Sequence, residues 1–368
     1  MDEFRQRLTQ AEEKHPLAKT FSDPRRQLAH SDYLSLFLFG LLNPCVRTMR
    51  SLCSASEFER VQQEVCQRPV SLGSFSETQA VSDPALLEEV FESLGQQVRA
   101  KEEDQRLRIK NWMIQDSSLW EALPRMHWAM WRTQKKQQQA LRLHLSLHVL
   151  DDKPVRALIT EGRHCERAAW RQQWEKGDAY VGDRYFGEDY GLLEELRQKE
   201  CFYVIRLREK ASITVIKELP LTKADSDAGV MKQAWVRLGC RPRYRIPPVR
   251  VVWVQGPEEV LLLVTHQSVQ EISAELVALL YKRRWQVELF FRWIKCILGN
   301  RHWLAESKNG VAIQIYLALI AALLLQLRNG KRPTKRTMEA IQFYLLGWVT
   351  PEELQRVIIR QETRRKKS

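Results

Sequence analysis

Hydrophobic and polar residues alternate with two different periods along the chain, and the first of these is helical. Apolar residues occupy positions 33–39 except Ser35, after Ser31 and Asp32, which are candidate helix caps. A second run follows Pro84, which favours a first helical turn. Residues 68–76, between these two runs, are rich in Ser, Pro and Gly and are predicted to form a loop. The first hundred residues are therefore predicted to be helical.

From about residue 107 the pattern changes to that of strands. Strands are predicted at 107–114, at 141–148, where apolar and polar residues alternate, and at 155–160. The elements predicted next are a helix at 166–176, a strand at 179–182, a helix at 189–200 and a strand at 201–205. Three meandering strands followed by alternating helices and strands indicate an α/β fold, with a mixed sheet flanked by helices.

A β-rich stretch follows, and then the chain becomes helical again. The strand-like segments are 213–216, 234–238, 249–254 and 260–265, and the helical ones are 272–298, 310–327 and 335–362. The predicted organisation is a helical region over 1–104, an α/β domain over 105–330 with a β-rich insertion at about 208–268, and a basic helical region over 331–368.

One apolar segment tests whether the chain enters a membrane. Residues 310–327 contain no charged side chain, and their length is at the lower limit for a membrane span. Gln314 and Gln326 interrupt the segment, and charged residues flank it. We expect a helix buried on several sides of a large core. A membrane-associated basic protein is the alternative.

The charge of the chain favours a polyanionic partner. With 58 Lys and Arg against 45 Asp and Glu the net charge is +13, although residues 1–104 hold 12 basic and 17 acidic side chains. The basic charge therefore lies in the last two-thirds, which end in the basic tail 363–368. Nucleic acid or an anionic membrane surface fits this balance. The seven cysteines form no Cys-x-x-Cys pair, and the polar N-terminus lacks a signal-peptide stretch, so a reducing, cytoplasmic location is expected.

The most informative segment is 281–295, a predicted helix with reactive residues on one side. At about 100° per residue, four side chains fall within an arc of about 60°. They are Tyr281, Arg284, Glu288 and Lys295. The simplest interpretation is an ordinary i,i+4 pair between Arg284 and Glu288, which contributes about 0.2–0.5 kcal/mol. The alternative is that Glu288 helps to hold a divalent metal over phosphate, together with further carboxylates at strand ends.

Two aspartates are predicted to stand at such strand ends. Asp116 follows the first predicted strand, and Asp183 follows the strand at 179–182. Asp178 is the nearest rival of Asp183, but it precedes that strand. His144 and His148 lie in a predicted strand and are not favoured as a metal pair. The sequence therefore suggests three carboxylates, from two strands and one helix, as a metal site.

These residues resemble a known family. The four side chains of the 281–295 segment spell Y-x2-R-x3-E-x6-K, which is similar to the YREK signature of bacterial insertion-sequence transposases of the DDE type. The family's first Asp precedes small hydroxyl residues, as in I-Q-D-S-S at 114–118. Its second Asp has a context like V-G-D-R-Y-F at 181–186, although the Gly that follows Arg in the family is missing. The resemblance covers about 105–300.

The resemblance implies a ribonuclease H-like catalytic core with a β-rich insertion, in an enzyme that cuts DNA and joins it elsewhere. Water would be the first nucleophile and the released 3′-hydroxyl the second. The implied catalytic residues and ligands of two Mg²⁺ ions, with Mn²⁺ as a substitute, are Asp116, Asp183 and Glu288. The implied contacts to DNA phosphates are Tyr281, Arg284 and Lys295.

The implied partner is double-stranded DNA, as element ends and as target, bound by a homodimer, with no membrane involved and a nucleoid-associated location in a bacterium. The helices over 1–104 are the default candidates for end recognition or dimerisation. Trp285 or Trp293 is a candidate for stacking on an unpaired base, with core packing as the alternative. Two other functions stay open from the sequence. One is a DNA nuclease of the same fold that cannot join DNA, and the other is a non-catalytic DNA-binding protein derived from a transposase.

Overall fold

The computed structural model describes residues 2–14, 28–46, 48–98, 109, 111–123, 125–132, 137–239, 246–298, 303–330 and 332–365. The helices of these residues are α1 (Asp2–Lys14), α2 (His30–Leu42), α3 (Met49–Ala55), α4 (Glu59–Glu64), α5 (Leu72–Val81), α6 (Ala85–Gln97), α7 (Glu166–Arg171), α8 (Tyr190–Gln198), α9 (Lys223–Asp227), α10 (Ala274–Arg283), α11 (Trp285–Leu298), α12 (Lys308–Asn329), α13 (Lys335–Leu345) and α14 (Pro351–Arg365). The strands are β1 (Trp112–Glu121), β2 (Met130–Arg132), β3 (Gln137–His148), β4 (Pro154–Glu161), β5 (Ala179–Gly182), β6 (Phe202–Arg206), β7 (Ile213–Leu219), β8 (Val230–Leu238), β9 (Val249–Gln255) and β10 (Val260–Thr265).

The chain divides into two compact units, each assembled from separate stretches of sequence. The sheet unit comprises 100–119 and 142–289, and the helical unit comprises 1–99, 120–141 and 290–368. Strands β1 and β3 and helix α11 contribute to both units. The functional domains expected at 1–104, 105–330 and 331–368 stay a prediction, because these units are defined by compactness alone.

The sheet unit is built on a mixed β-sheet. Its strand order is β4-β3-β1-β5-β6, continued by β10-β9-β8-β7. Strands β1, β5 and β6 are parallel neighbours, with Ile114 beside Val181 and Val181 beside Val204. All four residues of β5 are buried, as suits a central parallel strand covered on both faces. The mixed sheet and its flanking helices confirm the predicted α/β class.

The predicted β-rich insertion extends the sheet beyond β6. Strand β10 pairs antiparallel with β6, and β9, β8 and β7 follow outward as antiparallel neighbours. The short helix α9 within this insertion was not predicted. Buried hydrogen bonds fix the insertion to the start of α10, since Arg250 Nη2 donates to the Ile272 carbonyl at 2.7 Å and Asp225 Oδ1 accepts from the Glu275 N–H at 2.8 Å. Helix α10 leads directly to the Tyr281–Glu288 segment.

Aromatic side chains fill the core between the sheet and helices α7 and α8. Trp170, Tyr180, Phe186 and Tyr203 are almost fully buried, and the Trp170 and Phe186 ring centroids are 4.2 Å apart. Gly187, the residue after Phe186, lies so close to β6 that an added Cβ would be 2.1 Å from the Arg206 carbonyl oxygen. Only glycine fits there, so this residue allows the loop after β5 to lie against the end of β6.

Helix α12 is the central element of the helical unit, where it contacts α2, α5 and α6. Among the described helices it alone is long and apolar enough to cross a membrane, but 83% of its most apolar window is buried within the structure. Its Gln314 is also buried, and Gln314 Oε1 accepts a hydrogen bond from the Leu304 N–H at 3.0 Å. These observations confirm the prediction of a buried core helix.

Two predictions for the first hundred residues are wrong. The expected loop at 68–76 is largely helix α5, which Ser71 caps by accepting from the Ser74 N–H at 3.1 Å, and burial of Phe75 outweighs the weak helix propensity of its neighbours. Asp32 does not cap α2. It lies inside the first turn, buried, and accepts from Arg5 Nη2 at 2.7 Å.

Candidate active site

The first predicted site residue, Asp116, lies within strand β1 and not at its end. The strand was expected over 107–114, but it begins at Trp112 and continues past Asp116 to Glu121, while residues 107, 108 and 110 lie outside the described residues. Asp116 Oδ1 accepts a hydrogen bond from the Ser117 N–H at 2.7 Å, and its side chain retains 22% exposure. The carboxylate is therefore held by its own strand and reaches solvent only in part.

Asp183 stands next to Asp116 because of the strand register. Strands β1 and β5 run parallel with Ile114 beside Val181, so continuing the register by two residues brings Asp116 level with Asp183. Asp183 follows the last residue of β5, as predicted, and its Oδ1 accepts from the Tyr185 N–H at 2.9 Å. The two carboxylates are close enough for Asp183 to contribute to the raised pKa of Asp116.

The predicted helix at 281–295 is in fact two helices. Helix α10 ends at Arg283 and α11 begins at Trp285, with Arg284 in a tight turn between them. The Arg284 N–H donates to the Tyr281 carbonyl at 3.0 Å, three residues back, as in a 3₁₀ turn. No Gly or Pro marks this break in the sequence, and the helical period continues across it, so periodicity alone does not show it.

Arg284 links the helical carboxylate to the strand carboxylate. Its Nη2 donates to Glu288 Oε1 at 2.8 Å, and its Nη1 lies 3.5 Å from Asp116 Oδ2. The Arg284 side chain is only 18% exposed. The i,i+4 pair that the sequence suggested does form, but the same guanidinium also bridges to β1, which places Glu288 and Asp116 around one cation.

The electrostatics of Asp116 are unusual for an aspartate. Burial raises the pKa of Asp116 to about 7, and the carboxylates of Asp183 and Glu166 act in the same direction. The Ser117 N–H and the Arg284 guanidinium oppose this rise without cancelling it. Burial thus disfavours the ionised form of Asp116, and a cation bound beside it would relieve this penalty.

Tyr281 completes the cluster through a residue that the sequence did not indicate. Tyr281 is 8% exposed, and the guanidinium of Arg206, at the end of β6, lies near its hydroxyl. Burial raises the pKa of Tyr281, although Arg284 and Arg206 oppose this effect. Arg206 also forms an ion pair with Glu259. The sequence signal that could have found Arg206 is its position at the end of a strand that lies next to β5.

Lys295 belongs to the helical unit, unlike the other site candidates. There its ammonium lies 5.1 Å from the ring centroid of Trp120, a cation–π contact. The Trp120 ring in turn packs against Phe291 with the centroids 6.2 Å apart. Of the two tryptophans considered for base stacking, Trp293 is buried in the core, whereas Trp285 is 51% exposed.

The rival candidates have structural roles. Asp178 Oδ2 pairs with Arg156 Nη1 at 2.8 Å, and Asn111 donates to its Oδ1, so this carboxylate is buried and fully engaged before β5. His144 is buried with its Nε2 3.0 Å from Thr160 Oγ1, and burial lowers its pKa to about 3. These contacts give both side chains a structural role.

The donor chemistry of the site fits a hard divalent cation. Asp116, Asp183 and Glu288 offer carboxylate oxygens, which Mg²⁺ prefers. Within the part of the chain that the structure describes, no three His, Cys, Asp or Glu side chains are gathered closely enough to enclose a metal by themselves. Magnesium is usually held by one or two carboxylates together with water and phosphate, so these donors fit a shared site and not a closed protein cage.

Comparisons with known proteins point to one family. The family model described as "Transposase DDE domain" matches residues 110–324. The chain is 31% identical over 172 residues to the putative transposase y4zB of Sinorhizobium fredii, covering 46% of this chain and 47% of the relative. It is 26% identical over 226 residues to the probable transposase for insertion sequence element IS5377 of Geobacillus stearothermophilus, covering 60% and 57%.

The chain thus spans about half the length of these curated relatives. Among solved structures, it is similar to the piggyBac transposase synaptic complex with hairpin DNA, with 12% identity and a TM-score of 0.43, over 89% of this chain and 71% of the other.

Proposed function

Because the chain belongs to the transposase DDE domain family, we propose that it is a DNA transposase that cuts the ends of a mobile element and joins them to target DNA. The observation that carries this proposal is the grouping of three carboxylates. Asp116 lies in β1 and Asp183 directly follows the adjacent parallel strand β5, and Glu288 binds the same arginine as Asp116. All three residues lie within the segment that the family model matches.

Transposases of the DDE family generally use divalent metal ions. We assign Asp116, Asp183 and Glu288 as the catalytic carboxylates and as ligands of Mg²⁺, for which Mn²⁺ would substitute. Two such ions, when bound, would activate the attacking oxygen and stabilise the leaving oxygen of an in-line displacement at phosphorus. The raised pKa of Asp116 supports the assignment, because an ionised carboxylate in this position is stabilised by a nearby cation.

Arg284 would have two tasks in the DNA complex. Its planar guanidinium now contacts two carboxylates, and the same donor geometry matches phosphate oxygens. We propose that it orients Glu288 while a phosphate of the DNA takes up its remaining donors. Tyr281 would contribute a hydroxyl to the same phosphate region. Lys295, beside Trp120 in the helical unit, is the third proposed phosphate contact.

Double-stranded DNA is the proposed partner, both as element ends and as target. The net charge of +13 supports this choice. Binding should weaken steeply as the salt concentration rises, because the release of counterions from the DNA is then less favourable. A homodimer on paired ends and a cytoplasmic, nucleoid-associated location follow from the family resemblance and belong to the same proposal.

Cleavage of supercoiled plasmid in Mg²⁺ or Mn²⁺ tests the proposal. We expect the wild type to nick DNA, and Glu288→Gln to bind DNA without nicking it. The matched control is Glu194→Gln, since Glu194 also pairs with an arginine on its own helix, Arg197, at 2.6 Å. This control should nick like the wild type. Equal nicking by all three proteins would refute the role of Glu288.

A strand-transfer assay separates the transposase from the nuclease that cannot join DNA. A duplex carrying a free 3′-hydroxyl end is incubated with plasmid and protein. Joined products are expected from a transposase, whereas nicked plasmid without joined products would indicate the nuclease. Binding without nicking by the wild type would indicate a non-catalytic DNA-binding protein.

A further inference from the structure

A hydrogen-bonded group next to Asp116 is not explained by the proposed catalytic residues. Ser117 follows Asp116 in β1, and its backbone N–H donates to Asp116 Oδ1 at 2.7 Å. That bond orients the carboxylate only as long as the Ser117 peptide itself is fixed. What holds Ser117 therefore also determines the orientation of Asp116.

The Ser117 hydroxyl is held by two charged side chains from other elements. It donates to Glu166 Oε1, at the start of α7, and it accepts from Arg142 Nη1, on β3, at 2.9 Å. Arg142 Nη1 also lies 3.2 Å from Glu166 Oε2. The Arg142 and Glu166 side chains are each only 20% exposed. The three residues form a closed triangle that joins β1, β3 and α7 within the sheet unit.

We propose that Glu166 is a positioning residue for Asp116, acting through the Ser117 hydroxyl and held in place by Arg142. This inference rests on the proposed function, because it concerns the carboxylate assigned there as a metal ligand. Both carboxylate oxygens of Glu166 are engaged, one by Ser117 and the other by Arg142. We infer that Glu166 acts on Asp116 through these hydrogen bonds.

Two consequences follow for a cation at Asp116. The triangle limits rotation of the Asp116 side chain, so less entropy is lost when a metal binds. Arg142 neutralises the charge of Glu166. This fourth carboxylate can therefore lie near Asp116 and Asp183 without adding an unpaired negative charge. Groups that orient metal ligands in this way typically change metal affinity or activity by about 10–100-fold when they are removed.

The experiment measures Mn²⁺ binding to the full chain without DNA, by calorimetry, so that it does not depend on catalysis. We expect Glu166→Gln and Ser117→Ala each to weaken Mn²⁺ binding by about 10-fold, and the double variant to be no weaker than either one. Ser117→Thr keeps a hydroxyl and should restore binding. Glu195→Gln is the matched control, because Glu195 pairs with Arg171 at 2.5 Å in the same unit but has no link to Ser117.

The outcomes separate this inference from the proposed function. If Asp116→Asn does not change Mn²⁺ binding, the metal site at Asp116 is wrong, and both proposals fall. If Asp116→Asn abolishes binding while Glu166→Gln and Ser117→Ala bind like the wild type, only the positioning role is wrong. Loss of binding in Glu166→Gln with normal binding in Ser117→Ala would make Glu166 a direct ligand. Circular dichroism confirms that each variant is folded.

Discussion

The raised pKa of Asp116 predicts that this residue destabilises the metal-free protein at neutral pH. The folded-state pKa, about 7, lies above the ordinary value of 3.8, so the folded chain holds its proton more tightly than the unfolded chain does. Stability therefore falls as pH rises between these two values, and the cost is fully present above about pH 7. Replacing the carboxylate by a neutral amide of similar shape removes this cost.

The magnitude follows from the two pKa values. At about 1.36 kcal/mol for each tenfold change in proton affinity, the rise from 3.8 to about 7 corresponds to about 4 kcal/mol. The side chain is 22% exposed, so water reduces this figure, and we expect Asp116→Asn to be about 1–3 kcal/mol more stable than the wild type at pH 8. At pH 5 the gain should be smaller by more than half.

Urea denaturation at pH 5, 6, 7 and 8 in EDTA measures this difference. Asp151→Asn is a control of opposite sign, because hydrogen bonds from His148 and Lys153 outweigh burial and lower the pKa of Asp151. Asp151→Asn should therefore be less stable than the wild type at pH 8. The reasoning is refuted if Asp116→Asn is no more stable than the wild type at pH 8, or if its gain does not grow with pH.

Three further predictions follow from particular contacts. Trp285→Ala should weaken binding to DNA with unpaired bases by about 5–100-fold in a fluorescence titration, because a stacked base contributes about 1–3 kcal/mol, and binding to intact duplex should change little; equal loss on both substrates would contradict this. Asp178→Asn removes one of the two carboxylate partners of Arg156, which keeps Glu175 at 2.8 Å, and should lower the free energy of unfolding in urea by about 1–3 kcal/mol while plasmid nicking survives. Loss of nicking in a folded variant would contradict this prediction. Gly187→Ala forces a Cβ against the Arg206 carbonyl and should cost about 1–3 kcal/mol, whereas Gly191→Ala, in α8, meets only the Asp189 side chain and should cost less; equal urea midpoints for the two variants would contradict the close approach.

The parts of the site that the sequence predicted are those with a local signal. Asp183 was placed correctly because four apolar residues end just before it, and the Arg284–Glu288 pair followed from helical spacing. The contacts that no local pattern encodes were missed. Tyr281 meets Arg206 across 75 positions of sequence, and Ser117 meets Glu166 across 49, because both pairs depend on which strands and helices become neighbours.

The errors in the predicted secondary structure have the same origin. The strand that carries Asp116 was expected to end at residue 114, whereas pairing with neighbouring strands keeps β1 extended to Glu121. The turn at Arg284 is stabilised by bridging to Asp116, a contact outside the segment. Tertiary partners thus override propensity at the very positions where the site is assembled.

The central claim is that Asp116, Asp183 and Glu288 bind the metal that cleavage requires. Asp183→Cys tests it directly, because a thiolate is a poor ligand for Mg²⁺ but binds softer ions such as Mn²⁺. We predict that Asp183→Cys does not nick plasmid in Mg²⁺ and recovers nicking in Mn²⁺, while Asp183→Ala is inactive in both. Inactivity of the cysteine variant in Mn²⁺ as well as in Mg²⁺, or activity of the alanine variant in either ion, would contradict the assignment.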